Sequence, residues 1–108
     1  MIKGVDVDQR IEFVSKNDNE EVKTVFVFQP LSAEAMLNYV GDAKDGKLVL
    51  TGDKLFEFLA ISIVEIKNYD TQKDTIKATL KTLPIGVISE LVEEAGSINK
   101  MSEKDQKN

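Results

Sequence analysis

The longest apolar pattern in the chain runs from Leu55 to Ile66, where only Glu57, Ser62 and Glu65 are not apolar. At helical spacing, Leu55, Leu59, Ser62 and Ile66 fall on one side, and Phe56, Ala60 and Ile63 fall on another. A helix that is apolar round most of its circumference has to be surrounded. Residues 52–70 are therefore expected to form a central helix that the other elements cover. Asp53 or Thr51 is the expected cap. Lys67 lies near the expected C-terminal end, where a cation is favoured.

Upstream, Ile11 and Phe13 alternate with Arg10 and Glu12, the period of a half-buried strand. Residues 16–21, KNDNEE, form a polar turn of the kind Asn and Asp favour. Residues 22–29, VKTVFVFQ, are β-branched and aromatic, and read as a second strand. Together they predict an antiparallel hairpin. The run Val25 to Phe28 is apolar on both faces, so one face should carry helices and the other should be at least partly covered.

Pro30 ends that strand. Ser32 is the expected N-cap of a short helix through Ala33, Met36, Leu37 and Val40, with Leu31 stapled onto Met36 and Gly41 as the stop. Leu48 to Leu50 is a candidate short third strand. Residues 74–82 fit both periods; the shared wet side of Lys73, Lys77 and Lys81 favours helix. Pro84 opens the last helix. Its apolar side is Ile85, Ile88, Leu91, Val92 and Ala95, with Glu90, Glu93 and Glu94 elsewhere and Gly96 closing it. Residues 97–108 read as a polar tail carrying two isolated apolar residues, Ile98 and Met101. The expected fold class is α+β: an N-terminal antiparallel β-hairpin, with room for a third short strand, packed on three or four helices around the central one. Residues 1–96 make one domain and 97–108 the tail.

Composition narrows the chemistry. The 108 residues suit one domain with a real core. A net charge of -5 and a pI near 4.7 argue against a nucleic-acid backbone or an anionic membrane surface as partner. There is no Cys and no His, which removes thiolate metal sites, the usual general base near neutral pH and the commonest metal ligand. The N-terminus lacks the apolar core of a signal peptide. The apolar run Phe58 to Val64 falls well short of a membrane span of ~20 residues.

Asp42, Asp45 and Gly46 have the wrong spacing for a calcium loop. The carboxylates Glu20–Glu21, Asp42/Asp45 and Glu93–Glu94 fall in turns or on a wet helix side, where two pKa values are not split. No serine has a His partner, and no glycine run ends as a phosphate loop does. Phe26, Phe28, Phe56 and Phe58 lack the basic surround of a base-stacking platform and read as core. Neither catalytic residues nor a cofactor nor a metal is expected. Apolar side chains that the architecture does not obviously hide are candidate partner contacts: Val25 and Val27 on the hairpin's second face, and Ile98 and Met101 in the tail.

Three stretches carry a resemblance. VFVFQPLSAEAMLNYV (residues 25–40), LVLTGDKLFEFLAISIVEIKNYD (residues 48–70) and LPIGVISELVEEAGSINKMSEKDQKN (residues 83–108) resemble the tail assembly chaperones of long-tailed bacteriophages. That family has a strand, a PLS/T step and a short helix, then a central helix, then an LP…ELV helix with a charged ending. Ile66-Lys67-Asn68-Tyr69 departs from relatives that carry Trp or Gly at the end of the central helix.

The resemblance implies a non-enzymatic protein of the host cytoplasm. Such a protein coats the tape-measure protein during tail assembly, keeps it soluble and is absent from the finished virion. It also implies a longer frameshifted form of the same chain as partner, and self-association. A structural virion protein (a tail or head–tail joining component) is the alternative, and a small enzyme ranks last.

Overall fold

The computed structural model describes residues 1–39, 43–44, 47–48 and 52–99. The fold is α+β, with the expected N-terminal hairpin. Strands β1 (Ile11–Phe13) and β2 (Val25–Phe28) pair antiparallel, Ile11 opposite Phe28 and Phe13 opposite Phe26. Helix α1 follows at Ala33–Tyr39. The Ser32 hydroxyl accepts the Ala35 N–H at 3.2 Å, as its cap position requires. A separate two-residue ladder pairs β3 (Ala43–Lys44) with β4 (Lys47–Leu48). Then come α2 (Asp53–Ser62), β5 (Ile63–Lys67), α3 (Ile76–Leu80) and α4 (Ile85–Ile98).

The expected central helix is two elements. Helix α2 stops at Ser62, and the same apolar run continues directly as β5, antiparallel to β2. Two forces outweigh the helical period. Ile63, Val64 and Ile66 are β-branched and suit a pleated surface, and β2 needs a second partner for its backbone groups. The handover is bonded: Ser62 Oγ donates to the Phe58 carbonyl at 2.9 Å, and the Ser62 carbonyl accepts the Gln29 N–H at 2.8 Å. The sheet order is β1-β2-β5, so its third strand is β5; of the expected short segment, Leu48 lies in the β3–β4 ladder, and Val49 and Leu50 lie outside the described residues.

Directly paired residues share a face, so Ile11, Phe13, Phe26, Phe28, Ile63 and Ile66 all point to one side. Val64 is the extra residue of a bulge between the Phe28–Ile63 and Val27–Glu65 pairs, and it is turned outward. In a regular strand Ile63 and Ile66, three positions apart, would face opposite sides; the bulge brings both inward. The inward side meets Phe58 and Leu59 of α2, Leu80 of α3, and Ile88, Leu91 and Ala95 of α4 in one core cluster. Phe13 and Phe28 meet edge to face at 6.1 Å.

Local expectations are corrected as well. The N-cap position of α2 is Gly52, at φ 56 in the left-handed region that favours glycine. Asp53 instead reaches Lys77 Nζ at 2.8 Å and Lys81 Nζ at 3.1 Å, tying α2 to α3. Lys67 lies on β5 and meets Glu12 at 3.4 Å, a reach that crosses over β2.

Helix α4 also passes through Gly96 to Ile98 rather than closing at the glycine. Its last turn is held by Asn99, whose amide donates to the Ala95 carbonyl at 2.8 Å and accepts the Leu31 N–H at 2.7 Å. Residues 97–99 thus belong to the folded body. The short helix expected within residues 74–82 is α3, capped by Thr75 Oγ1, which accepts the Ala78 N–H at 3.0 Å.

Candidate functional site

The hairpin turn is built from side chains bonding to main chain. The Asp18 carboxylate accepts the Glu20 N–H at 3.0 Å and the Thr24 N–H at 2.9 Å. These two bonds, with Lys23 nearby, hold the Asp18 carboxyl below its usual range. Lys23 Nζ donates to the Asp18 carbonyl at 2.6 Å. On the other side of the turn, Ser15 Oγ donates to Glu90 Oε1, the Lys16 N–H donates to Glu90 Oε2 at 3.2 Å, and the Asn17 N–H donates to Ser15 Oγ at 3.1 Å. Glu90 is only 9% exposed. It departs from the wet position expected for it on α4 and serves as an anchor for the turn.

The second wall is the loop after β5. Asn68 adopts φ 58, which Asn tolerates better than most residues. Its amide donates to the Lys23 carbonyl at 3.3 Å, and its own carbonyl accepts Thr24 Oγ1 at 2.9 Å. The Tyr69 hydroxyl meets Thr82 Oγ1 at 2.7 Å, fixing this loop against the link that leads into the third wall, the start of α4.

The three walls enclose an open groove of about 620 Å³. Its floor is apolar, with half-buried Leu83 and Val87 in front of the buried Phe26, and Val22 stands on the rim, 66% exposed. The carboxylates on its lining are Asp18, Glu20, Glu21 and Asp70, and no Lys or Arg lines it. Asp18 is engaged by the turn, whereas Glu20, Glu21 and Asp70 are exposed. The chemical capacity of this arrangement is to receive an apolar side chain or two beside positive charge.

The sequence-derived contact residues lie elsewhere. Val27 is 6% exposed on the outer sheet face, flanked across the ladder by Glu12 and Glu65. Val25 is half-buried opposite Lys67, beneath the Lys67–Glu12 ion pair that spans β2. Ile98 packs partly buried against the core cluster. Met101 lies outside the described residues, as do Val40, Gly41, Asp42, Asp45, Gly46 and Thr51. None of Val25, Val27 and Ile98 lines the groove.

A second charged cluster joins α2 to α3. Its members are Asp53, Glu57, Lys77 and Lys81, with Lys81 Nζ 5.8 Å from the centre of the Phe56 ring. Lys77 pulls the Asp53 carboxyl below its usual range, with Lys81 assisting, and Asp53 in turn raises the Lys77 ammonium. Asp53 and Lys81 are exposed, Glu57 and Lys77 are half-buried, and the four pair with each other. Among the described residues no three His, Cys, Asp or Glu side chains are grouped to hold a metal ion, and no helix is long and apolar enough to cross a membrane.

Compared with protein-family models, with curated proteins and with solved structures, the chain matches none.

Proposed function

We propose that this protein is a non-enzymatic assembly chaperone that binds the long helical tape-measure protein of a bacteriophage tail and keeps it soluble in the host cytoplasm until the tube forms. The observation that carries the reading is the groove: an apolar floor left open on an acidic body, framed by rigid hydrogen-bonded loops. A chaperone of this kind needs modest affinity at each contact, because many copies on one filament multiply weak binding.

Three carboxylates are committed in ways that also support the reading. Glu90 bonds the turn, Asp18 bonds main chain, and Asp53 pairs with lysines. The resemblance across residues 25–40, 48–70 and 83–108 supplies the particular partner. The break of residues 52–70 into α2 and β5 departs from the helix that the resemblance implies there.

The test is co-expression with the tape-measure protein encoded in the same genome. The expected result is that the partner stays in the supernatant and co-purifies with this chain, and that mass spectrometry of finished particles finds none of it. A partner that aggregates equally with and without this chain overturns the proposal. Abundant recovery of the chain from purified particles does so as well.

A further inference from the structure

We infer that the groove between the hairpin turn, the loop after β5 and the start of α4 recognises a helical segment of a partner chain whose apolar stripe is flanked by Lys or Arg. This rests on the reading above and adds the chemistry of the segment. The floor presents half-buried Leu83 and Val87, with the buried Phe26 ring behind them, and demands apolar side chains. Val22 extends that floor outward, and an exposed valine beside an apolar hollow is surface that a partner would cover.

The rim selects the sign of charge. Glu20, Glu21 and Asp70 are exposed and line the groove, and with Lys23 held on the Asp18 carbonyl the rim still carries net negative charge, so a basic segment is favoured over an acidic one. The rim is also preorganised. Asp18 fixes the backbone of residues 20–24, and Asn68 locks the opposite loop to it, so little ordering cost remains when a segment arrives. A second copy of this chain is a poor occupant: at a net charge of -5 it brings like charge to the rim.

The probe is a fluorescent peptide of about four helical turns, with Leu at i, i+3, i+4 and i+7 and Lys elsewhere. Its partners in the test are the same stripe flanked by Glu and an all-Lys peptide lacking Leu. Anisotropy titration into the full chain should show micromolar binding of the first and at least about tenfold weaker binding of the other two. Affinity should fall as salt rises from about 0.05 to 0.5 M.

The variant E20K/E21K should lose about tenfold or more in affinity. A control carrying the same change in net charge at remote exposed positions, E34K/E65K, should lose less than about threefold. V22D should weaken binding without changing the thermal midpoint. Equal loss in E20K/E21K and E34K/E65K would show mere attraction to an acidic body and overturn the inference. So would equal binding of the Lys- and Glu-flanked peptides, or sedimentation showing a dimer that E20K/E21K abolishes. If the tape-measure protein co-purifies as well with E20K/E21K as with the native chain, the groove assignment fails while the chaperone reading stands. If the peptide results hold and the tape-measure protein does not bind, the reverse follows.

Discussion

At the α2–β5 seam, Phe58, Leu59, Ile63 and Ile66 are buried against Phe26 and Phe28, and the backbone groups there find one another. At the hairpin-turn end, the chain is ordered by Ser15, Asp18, Thr24 and Asn68 bonding to main chain, and the apolar floor beneath stays open. The first region is held by area removed from water, and the second by a few directional bonds. Apolar burial is cheap to specify but hides the surface it uses. Directional bonding leaves surface free for a partner, at the cost of being breakable one residue at a time.

That contrast can be tested in order of effect. Leu59→Ala, at a fully buried position, should destabilise by ~2–5 kcal/mol and lower the thermal midpoint by on the order of 10 °C or more. A change below ~1 kcal/mol would mean the seam is not the core it looks like. Glu90→Ala should cost ~1–3 kcal/mol, because the Ser15 hydroxyl and the Lys16 N–H lose their acceptor. Hydrogen exchange should then quicken in residues 15–24 more than at the seam. Thr75→Ala removes the α3 cap and should cost about 1 kcal/mol in urea unfolding.

Smaller still is the acid response. Asp18 titrates below its ordinary value of 3.8 in the fold, so its contribution is complete above that value and is lost as pH falls through the depressed one. Asp18→Asn should therefore flatten the acid limb of the urea midpoint below about pH 4 and leave the alkaline limb unchanged. Lys77 works at the other end: its pairing with Asp53 is present below 10.5 and fades as pH rises through its raised value. The surface change E20K/E21K should shift stability by no more than ~0.5 kcal/mol.

What could be read beforehand divides along the same line. Alternation at Ile11 and Phe13, the β-branched run into Phe28, Ser32 ahead of Ala33, and the spacing of Ile88, Leu91 and Ala95 are local signals, and the corresponding elements are present. Ile63 to Lys67 was not legible as a strand. Twelve residues from Leu55 to Ile66 satisfy a helical period, and the demand of β2 for a neighbour, added to β-branching, decides otherwise. The β-branched density at Ile61, Ile63, Val64 and Ile66 was the signal available.

Glu90 was illegible for a different reason: its partners lie 74 and 75 positions earlier in the chain. Ile85, counted on the apolar side, is 80% exposed because that stripe begins to touch the core only further along α4. The groove draws on three separate segments, so no window of sequence contains it. Val25, Val27 and Ile98 are apolar at places where the sequence shows no evident cover. The ladder, the Glu12–Lys67 pair and the last turn of α4 provide much of that cover.

The direct passage from Ser62 to Ile63 makes the chain intolerant of length changes at that point. One extra amino acid there would either rotate α2 by about 100° against its neighbours or exchange the inward and outward sides of β5. Residues 1–5, all exposed and ahead of the first strand, have room for the same insertion. Random single-codon insertion followed by selection for folded protein should therefore leave a gap over residues 60–66 and survivors among residues 1–5.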